Sequence, residues 1–324
     1  MNERLDHIDK AKGILIILAV IGHIWQAGYV HNLIYSFHMP AFFVISGMLM
    51  QHTKAYERKY TKFLLGRIYA FGIPFVFIEI LGVLTDILRH GVTLNIKGYI
   101  FNTLTLHYND GNLWFLVDLF LIEAVFVAAK KLARKNWLVA TICVLLFTLS
   151  LLLPANRSGY IDTLISSFKN LFFFAAGFFG KKYFEKRNTI ATIVTCLVPP
   201  LVALLFGKYT SWCLSLANAA FLISGVAGTY VILRFSELRF SRYLSRILAG
   251  AGKNSITIYG THHIIYAAVG VLLGITDFAT TPLWAGVIML LVVATVELPT
   301  IYIINRWLPF LAGKRYQKQP ILHN

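Results

Sequence analysis

Residues 11–50 read AKGILIILAVIGHIWQAGYVHNLIYSFHMPAFFVISGMLM, forty positions with one charged side chain, Lys12. A helix crossing the roughly 30 Å hydrocarbon core of a bilayer needs about 20 mainly apolar residues. This run holds enough for two crossings, 11–30 and 33–50, joined by only a few residues. The two must therefore be antiparallel neighbours. Lipid solvates such a stretch, whereas in water it would aggregate.

The rest of the chain repeats the pattern. Long apolar runs with polar interruptions predict further spans near 67–88, 112–129, 136–154, 162–180, 189–206, 211–233, 254–274 and 283–306. Hydrophobic residues make up 57% of the 324 positions and charged residues only 14%, where soluble domains carry nearer a quarter charged. The expected fold class is all-α integral membrane, a polytopic bundle of about ten transmembrane helices. One transmembrane domain would fill residues 1–312, and 313–324 would form a short basic cytoplasmic tail. Segment 234–253 mixes Arg234, Arg239, Arg242 and Arg246 with apolar residues and reads as an amphipathic cytoplasmic connection.

Charge placement orients the bundle. With the N-terminus inside, 25 of the 30 Lys and Arg residues fall in cytoplasmic segments. The outer loops hold only Arg89, Lys97, Arg157 and Lys208, and Lys169 lies within a span. That asymmetry predicts an N-in, C-in protein of the cell membrane. The net charge of +16 is thus a topology signal that also suits anionic headgroups, and nucleic acid is not an expected partner. Acidic residues and the lack of a small-residue cleavage site in MNERLDHIDKAKG make the first run a retained span. Cys143, Cys196 and Cys213 show neither a disulfide framework nor metal spacing, so no metal is expected.

Ionisable residues inside spans are functional candidates by default. Lys12 and His23 lie eleven residues apart in the first span, about 16 Å along a helix axis. Lys12 is then near the inner headgroups and His23 in the outer half. Lys12 reads either as a snorkelling topology residue or as a functional cation; His23 reads either as a packed histidine or as one lining a cavity. His38 sits one turn inside the second span, and Pro40 two residues later frees a carbonyl, which suits a kink or a cavity. His23 and His38 can face each other near the outer side. His262 lies about 12 Å into the ninth span; its neighbour His263 points elsewhere, so at most one lines a given cavity. Asp118, one turn beyond Trp114, is either a partner for a histidine or a structural hydrogen-bond acceptor. Glu79, Asp86, Glu123 and Glu297 are further carboxylates inside spans. The outer loop near 89–111 carries His90, His107, Asn109 and Asp110. Phosphate-binding loops, nucleophile elbows and zinc-protease helices are not written in the sequence.

Five segments, in order, resemble the acyltransferase-3 family. They are IDKAKGILIILAVIGH (8–23), SFHMPAFFVISG (36–47), GRIYAFGIP (66–74), LWFL (113–116) and NSITIYGTH (254–262). The text is most similar to the branch related to fucose 4-O-acetylases. The resemblance implies an integral-membrane O-acyltransferase that takes an acyl group, usually acetyl from acetyl-CoA, to a hydroxyl of an envelope carbohydrate or glycolipid. By position it implies His23 as the catalytic residue, with the basic residue before it, Lys12, also implicated; the family usually shows Arg there, and Lys lacks the bidentate fork. His38, Arg67, Trp114 and His262 match segment residues.

Depth suits that chemistry. Lys12, Arg67 and Lys253 at the inner face would meet the phosphates of acyl-CoA. His23 and His38 would serve catalysis further out, with Trp114, Asp118 and His262 toward the acceptor. A transporter or flippase of a lipid-linked saccharide, with the histidines as a proton relay, is the alternative from another class. It should show interrupted helices in two related halves, which this sequence lacks.

Overall fold

The computed structural model describes residues 3–90, 96–104, 113–153, 159–207, 216–275 and 277–314. His107, Asn109, Asp110, Arg157, Lys208, Cys213 and the tail beyond Lys314 lie outside them. The described residues are helical throughout, apart from turns and connections. Among the described residues, seven helical stretches are long and apolar enough to cross a membrane by length and composition. The others over expected spans are α1 (Glu3–Ile24), α7 (Trp114–Leu132) and α8 (Asn136–Leu152). The first two carry more charge, and α8 is only 17 residues long.

Helix α1 ends before the expected boundary at residue 30. Gly28, at φ 87°, supplies a left-handed turn that only glycine adopts readily. Helix α2 (Gly28–Tyr35) then starts early, placing His31 on the second helical unit. The break that Pro40 was expected to cause falls before it, at Ser36 and Phe37, and α3 runs from His38 to Thr53. Pro40 is therefore in the first turn, where its missing N–H leaves no gap in the ladder. Carbonyls at this break find side-chain donors: Ile34 accepts from His38 Nδ1 at 2.9 Å and Leu33 from Ser36 Oγ at 2.8 Å.

Helix α4 (Tyr60–Arg67) continues into α5 (Ile73–His90) through a π-helical turn at Ile68–Gly72. Such single wide turns recur at functional sites. Short α6 (Ile96–Leu104) bonds back to α5 through Tyr99 to Asp86 and Thr103 to Glu79. The remaining helices are α9 (Gly159–Glu185), α10 (Thr189–Phe206), α11 (Leu216–Ser236), α12 (Arg242–Lys253), α13 (Ser255–Leu272) and α14 (Leu283–Trp307). Segment 234–253 resolves into the end of α11, a short connection and α12, which buries Leu248, Ala249 and Gly252 and leaves Arg242 and Arg246 exposed.

Glycines set the closest helix contacts. Gly47 of α3 lies on the backbone of α9 at Phe174, and Gly177 of α9 on α3 at Val44. Gly13 of α1 and Gly252 of α12 are a second reciprocal pair, against Leu248 and Asp9. Without a hydrophobic drive between helices in lipid, close backbone approach is what small residues contribute. Two buried apolar clusters result, one around Phe43, Phe126 and Phe174 and one around Ile16, Tyr266 and Met289. A cavity lies where α1, α3, α7 and α13 meet.

Candidate active site

Helical phase builds the cavity. Eleven residues advance an α-helix by about three turns plus 20°, so Lys12 and His23 share one face. Ile16 and Ala19 fill the positions between, and all four line the cavity. From α13, Ser255, Tyr259 and His262 form a second stripe at intervals of four and three. Phe115, Leu119 and Glu123 of α7 form a third at intervals of four. Phe42, Ser46 and Leu49 of α3 contribute a fourth, and Arg67 at the end of α4 and Phe71 in the π turn complete the lining. The space encloses about 390 Å³, within the range of small-molecule sites. A single cavity thus touches Lys12 and Arg67 at one end and His23 and His262 further along α1 and α13.

Arg67 does not stand alone at the Lys12 end. Its Nε is 2.6 Å from Oε2 of Glu123, a buried carboxylate. The rings of Phe63 and Phe71 lie 5.1 and 5.8 Å from the guanidinium carbon, within cation–π reach. The carboxylate takes the Nε edge of the fork. Lys12 is 3.6 Å from Asp9, one turn back on α1, and Lys253 is 4.0 Å from the other oxygen of Asp9. Lys253 is 45% exposed and stands beside the cavity without lining it.

The His23 end of the cavity is a cluster of imidazoles. The rings of His23 and His262 are 5.3 Å apart. Nδ1 of His262 lies 2.7 Å from the Ile258 carbonyl, and Nδ1 of His31 lies 2.9 Å from that of Gly22. A carbonyl can only accept, so Nδ1 carries the proton in these rings and in His38. His23 differs, because its Nδ1 meets the Tyr35 hydroxyl at 3.2 Å, a group able to give or take. The Tyr35 ring stacks on His31 at 4.0 Å and tilts against His38 at 4.7 Å.

Several expected site residues lie elsewhere. His38 is buried outside the cavity, bonded to the break between α2 and α3. Asp118 is also outside; it accepts from Ser166, Ser167 and Asn170 at 2.8–2.9 Å, tying α7 to α9, and meets no histidine among the described residues. Trp114 packs on Phe43 and Phe115, and the next residue, Phe115, faces the cavity in its place. His263 contacts Tyr266 at 5.0 Å. Glu297 accepts from Thr261. Lys169 is buried within α9.

Three residues were missed as site candidates. Glu123 was passed over as one carboxylate among several, although its interval of eight from Phe115 puts it on the same face. Tyr35 and Tyr259 carry no charge, and aromatic residues in spans are common as interface anchors.

A family model described as an acyltransferase domain matches residues 5–301, nearly the whole chain. The chain belongs to the acyltransferase-3 family. No curated protein and no solved structure matches it. Family membership makes this helical bundle a membrane acyltransferase, with an acyl donor and an acceptor to bring together. The acyltransferase-3 match covers every segment that lines the cavity.

Proposed function

We propose that this protein moves an acetyl group from cytoplasmic acetyl-CoA to a hydroxyl of an envelope carbohydrate or glycolipid, with His23 as general base. The carrying observation is the continuous cavity from Lys12 and Arg67 to His23 and His262. A pantetheine arm is on the order of 15–20 Å long when extended, comparable to the ~16 Å rise between Lys12 and His23. Lys12 and Arg67 would bind the phosphates at the inner mouth, and the thioester would lie beside His23.

Nε2 of His23 takes the proton of the acceptor hydroxyl. The hydroxyl oxygen attacks the thioester carbonyl carbon, the C–S bond breaks, and the departing sulfur receives that proton from His23. This needs Nδ1 protonated, so Tyr35 Oη accepts from Nδ1–H and holds the tautomer. His262 lines the same space and would help to orient the acceptor. Glu123 fixes the Arg67 fork, and Lys253 adds positive potential at the rim.

Purified protein should transfer radiolabelled acetyl from acetyl-CoA to isolated envelope glycans, and His23→Ala should lower the rate by 10²–10⁴-fold, on the order of a lost general base. Near-normal transfer by folded His23→Ala would overturn the assignment. A wild-type protein that leaves the thioester untouched would favour the transporter reading.

A further inference from the structure

The C-terminal segment does not hang free of the bundle. After α14 a short 3-10 turn at Pro309–Ala312 leads into Gly313, at φ 66°. The Gly313 Cα lies against the backbone carbonyl of Ala70, where any side chain would collide. The Lys314 carbonyl accepts from Tyr69 Oη at 3.3 Å. Ala70 and Tyr69 belong to the π turn between Arg67 and Phe71, both of which line the cavity. On its other side, Lys314 Nζ donates to Asn254 Oδ1 at 2.7 Å and Asn305 Oδ1 at 2.8 Å, and Asn305 Nδ2 donates to Asn254. Asn254 immediately precedes Ser255, a cavity residue. It also follows Lys253, which shares Asp9 with Lys12. The segment therefore bridges the two walls flanking Lys12 and Arg67.

The partners of this ammonium are the puzzle. Lys314 is half-buried and among the described residues forms no ion pair with a carboxylate; its acceptors are neutral amides. Burial and the nearby charge of Lys12 both push the amine below the ordinary lysine range. Holding a cation beside another with only amide oxygens for company is unfavourable unless an anion completes the site. Two amides leave one of its three N–H donors for that anion.

We infer that Lys314, strapped across the cavity mouth by Gly313, Tyr69, Asn254 and Asn305, is a third phosphate-binding cation beside Lys12 and Arg67. The ligand class is a thioester donor carrying a nucleotide phosphate group. This rests on the donor reading above and deepens it, because it distinguishes a phosphate-rich donor from a bare pantetheine thioester.

The test uses the full chain in neutral detergent. Wild type, Lys314→Gln and Lys314→Arg are compared with acetyl-CoA, with acetyl-pantetheine, which lacks the phosphates, and for binding of 3′,5′-ADP. Loss of one charge-assisted contact should raise the acetyl-CoA KM and the 3′,5′-ADP Kd of Lys314→Gln about tenfold. Its kcat, and both constants with acetyl-pantetheine, should stay at wild-type values, and Lys314→Arg should restore most of the affinity. Unchanged nucleotide affinity in Lys314→Gln overturns the inference while leaving the donor reading intact. An equal loss with acetyl-pantetheine also overturns it, since that marks a purely structural strap. If the variant loses affinity for phosphatidylglycerol vesicles and keeps that for 3′,5′-ADP, Lys314 serves lipid headgroups and the inference fails. A wild-type protein that neither uses acetyl-CoA nor binds 3′,5′-ADP overturns both readings together.

Discussion

Replacing Tyr35 by Phe probes the Tyr35–His23 bond in the proposed mechanism. The ring remains, with its stacking on His31 at 4.0 Å and its contact with His38. The hydroxyl 3.2 Å from Nδ1 of His23 is removed. A hydrogen bond of this kind contributes about 0.5–1.5 kcal/mol net, which corresponds to a fall of about two- to tenfold in rate. The fall should appear in kcat. Tyr35 does not line the cavity, so the acetyl-CoA KM should stay within about twofold.

Steady-state transfer from acetyl-CoA reads both constants, and a double-mutant cycle with His23→Ala isolates the coupling. If Tyr35 acts by holding the His23 tautomer, its removal should have no further effect once His23 is gone. A tenfold loss that persists in the His23→Ala background would refute this reasoning. So would a loss as large as that of His23→Ala itself, which would make Tyr35 the acid–base group.

Asp118→Ala should destabilise the bundle by about 3 kcal/mol, because Ser166, Ser167 and Asn170 lose their shared acceptor inside the membrane; a thermal shift in detergent reads the loss, and kcat per folded molecule should be unchanged. Gly177→Val places a branched side chain on the α3 backbone at Val44, and the helix pair should fail to dock, seen as loss of the monodisperse peak in size-exclusion chromatography.

The helices were legible because crossing lipid demands both length and apolarity, and neither can be disguised. Among the described residues, each expected span falls on helix, and seven helical stretches have the length and apolarity to cross. What escaped was helical phase and the local breaks that reset it. Asp118 and Glu123 sit five residues apart on one helix, about 140° around it. One faces α9 and the other the cavity. Hydropathy gives both the same reading. His262 and His263 were separable, because adjacent residues diverge by about 100°. His38 was not, since its bond to Ile34 exists only because the chain breaks at Ser36 and Phe37. The π turn left no mark in the sequence, although it brings Arg67 and Phe71 to the same space. Lys314 was read only as a topology charge, and its place depends on a turn at Gly313 that no hydropathy pattern records.

Under the proposed mechanism, the rigidity of α1 does what a moving carrier would otherwise have to do. Lys12 and His23 are fixed on one face by helix geometry, and Gly13 locks that helix onto α12 within a turn of the cation. The phosphates of the donor can then stay at the inner surface while its thioester reaches the outer half of the bilayer. Only a neutral acetyl group crosses the remaining distance. Charges that would be costly in hydrocarbon stay near the mouth, where Lys12, Arg67 and Lys314 can meet them. On this proposal no alternating access is needed, because one cavity already joins Lys12 and Arg67 to His23.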